Sequence, residues 1–198
     1  MRYPLVIILV ILFISCSTNR NLSSSKQVNS TFKKTEINDI KTIINFFEQS
    51  ICKDFNNDCE SCYKAFNKRM LEEANNGKFG LNIPYDSQMK MYKKLNKALF
   101  NEIWSYGYSW KPNSKDTIKI ISINFNGKYF NFLKELGNSN TIINRYYEDL
   151  QSSGEITPLM INRLINEYDK YDTESIEIRL FYAIHYLILN DQFQIQIE

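Results

Sequence analysis

The sequence holds one histidine, no excess of either charge, no catalytic motif of known spacing and no apolar run long enough to cross a bilayer. Each shortage excludes something. With His185 as the single imidazole there is no H-E-x-x-H zinc helix, and neither a nucleophile elbow nor a phosphate-binding glycine loop occurs anywhere. The 24 basic and 22 acidic residues leave a formal net charge of +2, which offers no electrostatic footprint for nucleic acid. The longest apolar run, Leu5–Ile14, is half of the roughly 20 residues that a membrane-spanning helix needs. No internal repeat is visible.

What is present begins at the N-terminus. Met1-Arg2-Tyr3-Pro4 leads into the apolar run, and Ser15-Cys16-Ser17 closes it. One positive charge, a short apolar stretch and a small residue before a break are the parts of a secretory signal. Phe13-Ile14-Ser15-Cys16 resembles the lipobox of bacterial lipoproteins, in which the chain is cut before a cysteine that receives diacylglycerol. Phe13 stands where that pattern usually has leucine or another aliphatic residue. The resemblance implies that residues 1–15 are a signal peptide and that Cys16 carries the lipid. It also implies anchoring of the domain to a bacterial membrane, in the periplasm or on the surface. Ser17 is compatible with transfer to the outer membrane. Several acyl chains hold stably where one does not, since each buried CH₂ contributes about 0.8 kcal/mol. Residues 16–34 are polar and rich in Ser and Asn, which predicts a flexible tether.

Roughly 160 residues remain from 35 to 198, enough for one domain with a proper core. Hydrophobic content of 43% and aromatic content of 14% fit a globular chain, with Phe and Tyr expected in the core. Ile37, Ile40, Ile44, Phe47 and Ile51 recur at three and four, the mark of a helical face. A second helix is expected from Glu60 to Ala74, capped by Asn75-Asn76-Gly77. A third opens at Asp86 or Ser87 and carries a stripe through Tyr106 to Gly107, with Lys90, Lys93, Lys94 and Lys97 on its other side. A loop with Trp110, Pro112 and Asn113 leads to Thr117–Phe125, which fits a strand about as well as a helix. Further helices follow over Tyr129–Gly137, Asn140–Gln151, Thr157–Asp169 (Thr157 as N-cap, Pro158 at the first helical position) and Thr173–Leu189. The last is apolar nearly all round and is expected to be the central buried helix. Phe193, Ile195 and Ile197 alternate, as a strand paired to Thr117–Ile123 would. The expectation is a mainly α, single-domain bundle of about seven helices with allowance for one short strand pair.

The candidate chemistry is sparse. Cys52, Cys59 and Cys62 lie at the junction of the first two helices, where an exported protein can form a disulfide. A bond from Cys52 to Cys59 or Cys62 would staple that junction, and three thiols leave one over. Cys59-Glu60-Ser61-Cys62 is a C-x-x-C at a helix start, but no strand precedes it as a thioredoxin-like context requires. A zinc site there would need His185 as a distant fourth ligand. Asp54, Asn56 and Asp58 match the first positions of an EF-hand, yet Cys59 and Ala65 replace its glycine and bidentate glutamate. No metal or cofactor is assigned. His185 lies in an apolar helix and reads as a core residue with one satisfied hydrogen bond. Asp169, Asp172, Glu174 and Glu177 complement a helix dipole, and the four lysines form either a solvated face or a patch for an anionic surface or partner. The expected role is therefore a lipid-anchored envelope protein that is not an enzyme, a binding or inhibitor/immunity-type module. The alternative is an envelope hydrolase acting on peptidoglycan or glycans through paired carboxylates. The expected partners are the membrane, through Cys16, and a protein or envelope component, with no nucleic acid.

Overall fold

In this computed structural model the described residues are 22, 24–52, 58–77, 80–110 and 115–197, and among them the chain is mainly α. Among the described residues nine α-helices and one hairpin follow in the order α1 (Lys26–Thr31), α2 (Ile37–Ile51), α3 (Cys59–Asn75), α4 (Tyr85–Lys94), α5 (Lys97–Ile103), β1 (Trp104–Trp110), β2 (Thr117–Ile123), α6 (Lys128–Gly137), α7 (Thr141–Ser153), α8 (Pro158–Asn166) and α9 (Ile176–Ile197). A 3₁₀ turn, Tyr168–Lys170, joins the last two.

The apolar run of α9 dictates the architecture. From Leu180 to Leu189 no side chain is more than marginally exposed, so neighbours must cover it on every side. α2 lies along it with Ile40, Ile44 and Phe47 turned inward, as their spacing predicts, and Ile43 beside them. α4 and β2 cover its later turns. Aromatic rings interlock through the centre: Phe47 stacks on Tyr186, and Phe66 meets the same ring edge-on at 4.9 Å between centroids. Two charges lie inside this core. Arg179 of α9 donates to Glu48 of α2 through Nε at 2.6 Å, and the Tyr63 hydroxyl donates to the same carboxylate oxygen at 3.2 Å.

The expected tether needs correction. Leu22, Val28 and Phe32 are buried, α1 packs against α6, and the Phe32 and Phe132 rings sit 6.0 Å apart. Ser25 caps α1 by accepting from the Val28 amide, and its hydroxyl hydrogen-bonds the Glu177 carboxylate at the start of α9. Averaged composition hid three well-placed apolar residues. Burying each contributes roughly 1.5–3 kcal/mol, enough to order a short segment. The folded unit thus begins before residue 35.

The third expected helix also breaks. Leu95 is extended, and Asn96 starts a new helix by accepting from the Ala98 amide at 2.8 Å while its own amide donates to Asp39. That helix stops at Ile103, so Tyr106 and Gly107 lie on a strand. β1 pairs antiparallel with β2 from Trp104↔Ile123 to Trp110↔Thr117. The tail does not pair there: α9 continues through Ile197, its helical hydrogen bonding overriding a three-residue alternation. Pro112 and Asn113 of the expected loop lie outside the described residues. The Asn126-Gly127 turn opens α6, because a Cβ at Gly127 would collide with the Glu102 carbonyl. Gly154, at φ +74°, ends α7 in the left-handed conformation that glycine adopts without strain.

Cys52 and Cys62 form a disulfide, with Cα atoms 5.3 Å apart, between the end of α2 and the first turn of α3. Closing so short a loop contributes about 2–3 kcal/mol.

Candidate functional site

Of the positions singled out by sequence, the structure brings together Cys52 and Cys62. Cys62 is fully buried and bonded outside the C-x-x-C, so Cys59 and Cys62 are not a redox pair with each other. Cys59 is itself disulfide-bonded, and no described cysteine is free; the expected left-over thiol is not found. Cys16 lies outside the described residues, as do Asp54 and Asn56.

His185 is a core residue as its setting predicts. It is completely buried among the Tyr146, Phe181 and Tyr186 rings, its Nδ1 lies 2.8 Å from the Tyr146 hydroxyl, and Nε2 has no partner among the described residues. Burial drives its pKa down from 6.5 to about 3. Sealed from solvent, the imidazole has no face open to a substrate. Of the acidic stretch, Glu177 accepts from Ser25 and Ser175 at the start of α9, a structural use.

The four lysines part company. Lys90 and Lys94 face a hollow of about 540 Å³ against α2, whereas Lys93 and Lys97 edge a separate cleft of about 500 Å³. α4 supplies Tyr85, Met89, Tyr92 and Lys93 to this cleft, residues that recur on one helical face. α5 adds Lys97, Phe100 and Asn101; the hairpin adds Tyr106, Lys119 and Ile121; α9 adds Asp191. The apolar wall is a run of touching rings. Tyr92 lies 5.5 Å from Phe100 and 4.8 Å from Trp104, and Phe100 lies 5.7 Å from Tyr106. Lys119 Nζ sits over the Tyr106 ring, 3.5 Å from its centroid.

Among the described residues Asp191 is the single carboxylate on the cleft wall. Its oxygens accept from the Ile121 amide at 2.9 Å and the Tyr85 hydroxyl at 3.2 Å, while burial raises its pKa above its ordinary value. It fastens α9 to β2 and α4. Above it, Lys93, Lys97 and Lys119 form no ion pair among the described residues. The arrangement is a ring-lined hollow with positive charge at its rim. It suits a ligand with an acidic group and an apolar body.

Beyond the cleft, β1 carries Tyr106, Tyr108 and Trp110 outward, 53%, 73% and 71% exposed. That much uncovered ring on one strand is unusual for a surface that meets only water. Sequence reading missed this row by ending a helix at Gly107 and placing Trp110 in a loop; the period-two alternation Trp104-Ser105-Tyr106-Gly107-Tyr108 was the available signal. It also missed the Glu48–Arg179 pair, which opposite charges inside two apolar faces would have suggested. Comparison with protein-family models, with curated proteins and with solved structures finds no match to this chain.

Proposed function

We propose that this protein is a lipid-anchored, non-enzymatic binding module of the bacterial cell envelope, and that the cleft between α4, α5 and the hairpin takes an acidic, partly apolar element of an envelope partner. The observation that carries the reading is the trio Lys93, Lys97 and Lys119 around aromatic walls, with no acidic side chain committed to them among the described residues. Unpaired positive charge steers an anionic partner, and the rings supply contact area. A glycosidase needs two facing carboxylates, and Asp191 alone, occupied by two donors, does not supply that pair.

The test has two arms. For the cleft, the triple variant Lys93→Glu, Lys97→Glu, Lys119→Glu should abolish crosslinking of the detergent-extracted protein to its envelope partner. Release of soluble fragments from dye-labelled peptidoglycan by the unaltered protein, lost in Asp191→Asn, would establish the hydrolase instead. For the anchor, Cys16→Ala should move the protein from the membrane to the soluble fraction. The chain has four cysteines, and Cys52 and Cys62 take each other. A Cys16 sulfur bearing diacylglycerol is a thioether and cannot also bond Cys59, so the lipid reading requires the Cys59 disulfide to reach a cysteine of another chain, and a non-reducing peptide map joining Cys16 to Cys59 would overturn it.

A further inference from the structure

β1 reads Trp-Ser-Tyr-Gly-Tyr-Ser-Trp from Trp104 to Trp110, the same in both directions about Gly107. Palindromy matters for a strand only when it meets its own copy antiparallel, because the two-fold axis then places like opposite like. The strand is placed to do so. The sheet has two strands, and the outer edge of β1 meets no other strand among the described residues. β2, by contrast, is closed off on its far side by α9, where Asp191 accepts the Ile121 amide.

The hydrogen-bond phase of the hairpin decides which groups face outward. The Ile121 amide points away from β1, and the Asn124 amide donates to the Ile103 carbonyl, so 103/124, 105/122, 107/120 and 109/118 are the bonded pairs. Tyr106, Tyr108 and Trp110 therefore turn their amides and carbonyls to the open edge. Two copies of β1 related by a two-fold axis at Gly107 bring Tyr106 opposite the second copy's Tyr108, both residues with outward backbone groups. The phases agree, and the four central hydrogen bonds form without any shift of the strand.

Gly107 supports the same axis. Within one chain nothing demands glycine there: φ is not positive, and an added Cβ would meet Ile120 at an ordinary 3.5 Å. Glycine inside a strand weakens it and marks places where another backbone comes close. On the two-fold axis, Gly107 faces its own copy as a non-bonded pair, with Cα atoms about 4.5 Å apart. The exposed rings of Tyr106, Tyr108 and Trp110 gain cross-strand partners of the same kind on one face.

We infer that the β1 edge is a homodimer interface, in which two copies of this chain pair antiparallel about Gly107 into a four-stranded sheet, β2-β1-β1-β2. The interface rests on the strand edge and not on the lysines, so it stands or falls separately from the proposed function. Full-length protein extracted in mild detergent should sediment as a dimer of protein chains. Tyr108→Pro removes an outward amide that β2 does not use, and should raise the dimer dissociation constant at least about 10-fold. Gly107→Cys should crosslink to itself on mild oxidation above the unaltered protein's background, since only this register brings the two positions within disulfide reach. Ser105→Cys, whose opposite number is Ser109, should not. The crosslink holds the question open to test even if the proline variant misfolds. A monomer at every accessible concentration, a dimer indifferent to Tyr108→Pro, or crosslinking through Ser105→Cys in place of Gly107→Cys would overturn the inference. So would a monomer whose Trp fluorescence shifts on anionic lipid vesicles, which assigns the aromatic row to the membrane surface.

Discussion

Arg179→Met is expected to lower the free energy of unfolding by about 3–5 kcal/mol. The reason lies in what the substitution leaves behind. Arg179 and Glu48 side chains are 3% and 5% exposed, with the guanidinium Nη2 2.5 Å from the carboxylate and Nε also on it. Removing the cation strands a carboxylate in the aromatic core. The pair itself need not be strongly stabilising relative to an apolar pair of similar volume, because both ions were stripped of water to form it. The double variant Glu48→Met, Arg179→Met should therefore recover most of the loss. Urea midpoints of the four proteins close the cycle. A single-variant loss below about 1 kcal/mol would show that the buried charges are solvated by some other route.

Acid should destabilise the fold through His185. In the unfolded chain its imidazole protonates near 6.5; in the folded one burial holds it neutral down to about 3. Between those values the unfolded state binds the extra proton, so stability falls as pH falls, by about 1.4 kcal/mol per pH unit. Asp191 works the other way. Burial raises its pKa, so acidification through that raised value favours the folded state. His185→Gln keeps a polar partner for Tyr146 and removes the titration. Between pH 7 and pH 4 it should lose about 3 kcal/mol less than the unaltered protein, measured by denaturant midpoints at each pH. Equal losses would mean that the imidazole finds a proton-accepting partner on acidification.

Helices α2, α3 and α6 to α9 were legible because their signals are local. Ile40, Ile44 and Phe47 share a face by spacing alone, and Thr157-Pro158 fixes a helix start within two residues. The disulfide was legible as a region but not as a pairing, since Cys59 and Cys62 lie on the same first turn of α3. The hairpin was misread because Leu99, Ile103 and Tyr106 continue a three-and-four spacing, while the break depends on Asp39, far away in sequence, holding the Asn96 amide. The cleft could not be foreseen at all. Its walls come from α4, α5, both strands and α9, and only tertiary packing brings Lys119 and Asp191 near Lys93.

The early start of the fold sets the reach of the protein. A chain held at Cys16 and free to residue 34 could extend about 60 Å from its attachment, at roughly 3.3–3.6 Å per residue. With Leu22 already in the core, a chain held at Cys16 has at most six steps to span, or about 20 Å. If Cys16 carries the anchor, the volume that the domain can sweep falls roughly thirty-fold. So anchored, the domain would not search the space above a membrane; it would ride on the headgroups, and a partner would have to come to it there.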